Sequence, residues 1–378
     1  MSYAPLTPRQ DRILAQMREI ERSEWAPDVG DLLRSRIEAG AGGARVSLTK
    51  WKIGGLLSCQ RRHQSDMDST FEWSPTKARG TVAHKAVELF LNWPDEKRPP
   101  PAELTRMAID QTVREEQNLG GWLRDAPPEI VAELSSGVTA ATATFVEVFP
   151  PLPARWNAQT EVTYHARVGG VDLPGRPDLT IGLPAGNVSG KLILDLKTGG
   201  KHQQAHMDDG HHYALIDTLR TGVPPFAVGV VYLGAGDVAI EPVTQGSLDA
   251  AADRVVAAVR AHETFDPMST APGPLCRWCD VQPVCAAGGG IEPEPVGSKA
   301  VEIADRARRS AEAAAVKARS VGPVTAAQLE QLATLGGKQG DLDTQAGWVL
   351  SYTGERTGHF SQMTAGEAAA LIEEWAVS

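Results

Sequence analysis

The stretch GRPDLTIGLPAGNVSGKLILDLKTGG, residues 175–200, holds two extended runs on either side of a turn signal. Its first arm carries Gly175-Arg176-Pro177-Asp178-Leu179-Thr180, and its second carries Leu194-Asp195-Leu196-Lys197-Thr198-Gly199. Asp178 lies eight residues before Gly186 and Asp195 eight after Asn187, so a hairpin turning at Gly186-Asn187 sets the two aspartates opposite each other. In an extended strand Asp195 and Lys197 project to one face and Leu196 to the other. Two facing carboxylates repel unless a proton or a cation lies between them, and a hard divalent ion, Mg2+ or Mn2+, resolves the conflict. An ordinary surface Asp–Lys pair is the plainer alternative.

Outward from this hairpin, strand signals cover residues 161–168, 171–183, 191–197, 226–233 and 238–243. An apparent helix at 206–221 separates the third strand from the fourth, so the pattern predicts a mixed sheet flanked by helices. Upstream the periodicity is helical, over residues 9–22, 47–58, 75–92, 102–118 and 128–149. Ser74-Pro75 reads as an N-cap with proline at the first helical position, and Ile130, Leu134, Val138 and Phe145 form one buried stripe. A further helix is expected at 247–261. The Pro- and Gly-rich residues 289–298 read as a linker, followed by an Ala-rich helix at 301–320, a short strand at 348–352 and a last helix near 365–375. This divides the chain into an N-terminal helical segment (1–46), a central domain (47–288), the linker, and an α+β accessory region (299–378) that offers a surface for a protein partner.

Within the 75–92 helix, the spacing stacks Gly80, His84 and Glu88 on one face, while Val82, Ala86, Leu89 and Phe90 form most of another. His84 is thus placed to reach a site, although a lone helix histidine is more often structural.

Three of the four cysteines lie in Cys276-Arg277-Trp278-Cys279 and on to Cys285, and the fourth, Cys59, is far upstream. A C-x2-C-x5-C run with one remote thiolate is a ligand set of the kind that holds a cubane 4Fe-4S cluster. Structural zinc usually draws on two local ligand pairs, and four unrelated buried thiols are a third possibility. Disulfides fit poorly, because residues 1–24 contain Arg9, Asp11, Arg12, Arg18 and Glu19 with no apolar signal core.

No apolar run approaches a membrane span in these 378 residues, so a soluble, cytoplasmic protein is expected. The net charge of −10 requires any nucleic-acid partner to be met by a local basic groove, since the overall field repels phosphate.

Taken in order, Gly80-x3-His84, Gly175-Arg176-Pro177-Asp178, Asp195-Leu196-Lys197, Tyr213 on the next helix and the C-x2-C-x5-C run resemble the PD-(D/E)XK nuclease superfamily. More narrowly they are similar to its RecB-like exonuclease branch, which includes CRISPR-associated and AddB-type nucleases with an iron–sulfur staple. The resemblance covers about residues 47–288 and implies a restriction-endonuclease-like mixed α/β fold. It implies metal ligation by His84, Asp178, Asp195 and the backbone carbonyl of Leu196, with Lys197 as the catalytic lysine. Glu161 resembles an acidic residue of the first core strand, and Gly80 and Glu88 support the site. Cys59, Cys276, Cys279 and Cys285 match the cluster ligands.

The implied activity is Mg2+- or Mn2+-dependent exonuclease cleavage of single-stranded DNA or duplex ends, in repair, recombination or phage- or CRISPR-related processing. Tyr213, Arg79 and Lys85 would contact the strand. One departure stands out: Asp209 occupies the position where the pattern has glutamine, and an acid there repels phosphate unless a cation intervenes. A catalytically altered fold that binds DNA or a partner is the alternative. The histidines at 202, 206, 211 and 212 read as a polar helix end lining a groove rather than a second metal site.

Overall fold

The computed structural model describes residues 6–94, 97–287 and 324–339, with Met363, Ala368, Ala369, Leu371 and Ile372 besides. Two compact units divide the chain, 1–292 and 293–378. The expected linker, the 301–320 helix and the 348–352 strand lie outside the described residues, as does most of the 365–375 helix. In the second unit a helix, Ala326–Gln339, carries Leu332 into a small core with Met363, Ala368 and Leu371.

In the first unit the helical part comprises α1 (Pro8–Glu19), α2 (Val29–Ala41), α3 (Lys50–Leu57), α4 (Gln60–Asp68), α5 (Pro75–Asn92), α6 (Pro101–Glu115), α7 (Gln117–Asp125) and α8 (Pro128–Val148). Their starts follow local chemistry. Ser74 accepts from the Lys77 amide ahead of Pro75, and Thr7 forms a reciprocal cap with Gln10 ahead of Pro8. Then come α9 (Gln203–Thr221) and α10 (Gln245–Glu263), interleaved with the strands.

Two sheets form. The larger has five strands in the order β2 (Gln159–Thr160), β5 (Leu179–Ile181), β6 (Leu192–Lys197), β7 (Ala227–Tyr232), β8 (Asp237–Pro242). All its pairs are antiparallel except β6–β7, which α9 connects as a crossover. The smaller has the order β1 (Val46–Ser47), β4 (Val171–Gly175), β3 (Tyr164–Val168). β6 is the axis of the domain. Leu192, Leu194 and Leu196 pack with Val82, Ala86 and Val138 of α5 and α8, while Ile193 joins a second core with Tyr213, Val230 and Val255 on the α9–α10 side. Both sides of this strand are therefore covered, as its apolar run, broken only by Asp195 before Lys197, requires.

The hairpin register is the one its turn dictates. Ala185 and Val188 bridge across Gly186-Asn187, and Leu179 faces Leu194, so the same register sets Asp178 opposite Asp195. The expected strand 171–183, however, is two strands in different sheets: β4 ends at Gly175 and β5 begins at Leu179. Pro177 supplies no N–H to a ladder, and residues 176–178 carry the chain from one sheet to the other. Glu161, expected at the head of a strand, lies instead between β2 and β3 with φ of 54°. Its amide donates to the Asp178 carbonyl at 3.1 Å, which ties this unusual backbone to the crossing. No described helix is long and apolar enough to cross a membrane.

Candidate active site

The site forms where the C-terminal end of β6, the 176–178 crossing, α5, α9 and the start of α3 meet. At the crossing, Gly175 admits the ring of Tyr213: a Cβ there would lie 2.9 Å from Tyr213 Cδ1 and 3.0 Å from Ile216 Cδ1. The Tyr213 hydroxyl donates to the Arg176 carbonyl at 3.1 Å, and the Arg176 guanidinium pairs with Glu161 at 2.8 Å. Gly-Arg-Pro-Asp is thus a bent connection in which Gly175, Arg176 and Asp178 each have a separate contact. On α5, a Cβ at Gly80 would lie 3.3 Å from Thr198 Oγ1, so its absence lets the helix lie close against the end of β6. One turn further on, His84 Nδ1 comes 3.2 Å from Asp178 Oδ1.

Asp178 faces two partners. Its Oδ2 accepts from the Leu196 amide at 2.6 Å, while Oδ1 meets His84. The backbone of odd-numbered β6 residues serves β7, as the Leu233 amide bound to the Lys197 carbonyl shows. Leu196 therefore turns its amide and carbonyl to the β5 side, where Asp178 lies. Ligand atoms of His84, Glu161 and Asp178 all fall within 4.8 Å of one another, the group among the described residues with the spacing to hold a metal ion. Glu161 thus stands in this set beside His84 and Asp178, and Asp195, expected there from the sequence, is not among the three.

Asp195 is occupied otherwise. Buried, it makes contacts of 3.0 Å from Oδ1 to Lys50 and 2.5 Å from Oδ2 to Lys197. Burial favours its neutral form, but the two ammonium groups outweigh that and hold its pKa below the usual carboxylate value. For His84, burial opposes protonation, while Asp178, Asp195 and Glu161 together raise its pKa. Burial is also the largest influence on Glu161, and with Asp178 it raises that carboxyl's pKa against Arg176 and His84. Carboxylates and an imidazole crowd here in a way that a divalent cation relieves.

The sequence alone gives no signal for Lys50. It lies about as far before the hairpin as any residue of the domain, and no local pattern distinguishes a lysine at a helix start from a solvated one. Its ammonium reaches Asp209 Oδ2 at 3.7 Å and stands 5.0 Å from the Tyr213 ring centroid.

The remaining expected contacts divide. Tyr213 is 3 % exposed, so the stacking role expected of it gives way to a packing role: its ring has no free face for a base. Lys85 pairs with Glu88 at 2.7 Å on the same helix. The Arg79 stem lies against α8, its Cδ 2.7 Å from where a Gly137 Cβ would be, on a different side of α5 from His84. The histidines of α9 disperse: His206 bonds the Tyr232 hydroxyl at 3.1 Å, His211 lies 3.7 Å from Glu241, and His212 is buried.

The four cysteines line one cavity of about 260 Å3, together with Arg61 and Arg62. Successive 3-10 turns, Pro274–Trp278 and Gln282–Val284, present the local three, and Cys59 arrives as the N-cap residue of α4. The long reach is closed by the Arg61 amide on the Ser269 carbonyl at 2.9 Å and the Asp266 amide on Gln60 Oε1 at 2.9 Å. None of the four forms a disulfide. Burial pushes the Cys279 thiol up against the pull of the Val281 backbone and Arg62, and Cys59 and Cys276 add to the rise.

A fold with a mixed sheet at its centre, a bent Gly-Arg-Pro-Asp crossing and an Asp-Leu-Lys strand end defines a metal-nuclease class of architecture. Residues 48–286 match the model of the PD-(D/E)XK nuclease superfamily, and the chain belongs to that superfamily, whose members are in general nucleases that use divalent metals. The mixed α/β fold is restriction-endonuclease-like. A solved structure described as "Crystal structure of SSO0001" is similar at 14% identity over 68% of this chain and 95% of its own, with a TM-score of 0.30. No curated protein matches the chain.

Proposed function

We propose that the protein is a metal-dependent deoxyribonuclease that degrades DNA from ends, single-stranded or duplex. The observation that carries this reading is the convergence of His84, Glu161 and Asp178 within 4.8 Å, beside the Asp195–Lys197 pair. One nitrogen and several carboxylate oxygens are a donor set suited to Mn2+ or Mg2+. Asp195, on the same strand end, is a further ligand in this reading, as is the Leu196 carbonyl. Bound there, such an ion supplies Lewis-acid chemistry, stabilising charge on phosphodiester oxygens and making a nearby water more acidic.

The chain's own residues do the rest. Asp178 and Leu196 fix each other through their hydrogen bond, so the acid is oriented by the strand itself. Lys197 brings a positive charge against the pentacovalent phosphate and orients the attacking water. His206, held neutral by burial and by Lys197 with a pKa lowered to about 4, adds no further charge to that side.

The exonuclease specificity and the RecB-like branch are supported by the order of motifs from Gly80 to Cys285. A 4Fe-4S cluster on Cys59, Cys276, Cys279 and Cys285 is supported by the single cavity that all four line. In this reading it clips α4 to the 276–285 segment and takes no part in cleavage. A second reading, a fold that binds DNA or a partner without cutting, is favoured only by Asp209.

The two readings separate in an assay of the full chain on end-labelled single- and double-stranded DNA with Mg2+, Mn2+ or chelator. Metal-dependent release of mononucleotides or short oligonucleotides supports the exonuclease. Retention of labelled DNA without cleavage in either metal supports the binding module.

A further inference from the structure

We propose that Lys50 is a positioning residue of this site, a second ammonium that orients Asp195 from the side away from Lys197 and neutralises Asp209. The inference rests on the nuclease reading above and adds a residue to it. The geometry is a chain of alternating charge: Lys197 to Asp195 at 2.5 Å, Asp195 to Lys50 at 3.0 Å, Lys50 to Asp209 at 3.7 Å. Two carboxylates and two ammonium groups balance. Without Lys50, Asp195 would keep one partner and Asp209 would face it as a second negative charge next to the phosphate path.

Lys50 is not a loose surface chain brought there by chance. It is the first residue of α3, whose start is fixed by Thr49 accepting from the Lys52 amide at 3.2 Å. Just before it, the Leu48 amide donates to the Asp172 carbonyl at 2.8 Å and β1 pairs with β4. The ammonium then rests 5.0 Å from the Tyr213 ring, itself anchored to the Arg176 carbonyl. Both oxygens of Asp195 are thereby held, one by each lysine. A carboxylate so fixed presents one orientation to a cation at the neighbouring site.

The consequence is a split between metal affinity and rate. Removing a positive charge from beside two carboxylates strengthens their attraction for a divalent ion, by about tenfold in dissociation constant. The same removal frees Asp195 to reorient, and misplacement of about an ångström in such a site costs about 100-fold in kcat. A residue that merely stabilised the fold would move neither quantity in this paired way.

The test is Mn2+ titration calorimetry and DNA-cleavage kinetics on the full-length protein, wild type and Lys50→Met, with Lys50→Gln in reserve should the first not fold. Lys50→Met is expected to bind Mn2+ about tenfold more tightly, with kcat lower by about 100-fold and KM within about threefold. Adding Asp209→Gln should restore at least about tenfold of the lost kcat, because it removes the uncompensated acid. Lys50→Arg should likewise recover activity over Lys50→Met. Unchanged Mn2+ affinity together with unchanged kcat in Lys50→Met overturns the proposal. If the wild type cleaves no DNA in either metal, the nuclease reading fails, and the Mn2+ titration then decides alone whether Lys50 governs Asp195.

Discussion

The Asp178 carboxylate receives the Leu196 amide at 2.6 Å, so the acid of one hairpin arm is held by the backbone of the other. Asp178 therefore has both a structural and a proposed metal-binding role, and two substitutions separate them. Asp178→Asn keeps an acceptor for Leu196 and loses the charge; Asp178→Ala loses both. Urea unfolding should show the Ala variant destabilised by about 1–3 kcal/mol relative to the Asn variant, from an orphaned amide. Mn2+ titration should show both variants weakened about equally.

The bend at Gly175 is predicted to tolerate no side chain. Gly175→Ala drives a Cβ into the Tyr213 ring at 2.9 Å and Ile216 at 3.0 Å, both in the core. Overpacking of this kind costs about 1–3 kcal/mol, readable as a lower midpoint in denaturant with an unchanged slope. Tyr213→Phe, which loses the bond to the Arg176 carbonyl and the hydroxyl's contact with Lys50, should cost about 1 kcal/mol or somewhat more.

Acid should weaken the fold through His212. Burial first, then Lys50 and Arg254, lower its pKa from 6.5 to about 4, and its Nε2 is buried with no hydrogen-bond partner. The unfolded imidazole takes a proton as pH falls through about 6.5, but the folded one resists until about 4. Its contribution is thus fully present above pH 6.5 and is lost progressively as pH falls to about 4, amounting to about 3 kcal/mol at the low end. His212→Gln should flatten the stability profile across that window.

If the proposed cluster is the staple, Cys59→Ser should lower the iron and sulfide content of anaerobically purified protein together with its melting temperature, because it removes the ligand that α4 contributes. Zinc in place of iron in the wild type would replace the cluster with a different staple. In either case Asp195→Ala should leave the cysteine-bound metal content unchanged.

The sequence carries the hairpin well because its register depends on local counting: the turn at Gly186-Asn187 fixes which residues face each other, and Leu179 opposite Leu194 follows. That Asp195 and Lys197 share one face of Leu192–Lys197 is legible for the same reason, since side chains alternate along any strand, even one buried on both faces as this one is. The break at 176–178 is harder to read, because one extended run can serve two sheets and only Pro177 marks the change. Lys50, β1 and Glu161 come to the site from remote or irregular backbone. Two residues of β1 are too few for any periodicity, and the φ of 54° at Glu161 is imposed by its tertiary contacts, not by residue preference. The burial of Tyr213 is not legible locally, because an aromatic on a helix reads equally as a stacking platform or a core residue, and Gly175, against which its ring packs, lies on a different element.

Whether Lys197 acts at a metal-dependent nuclease site is decided by cleavage of end-labelled DNA in Mg2+ by wild type and by Lys197→Ala, each checked for the same fold by circular dichroism. Metal-dependent hydrolysis is expected of the wild type, with a fall of about 100-fold or more in the variant. Cleavage by Lys197→Ala at the wild-type rate would contradict it.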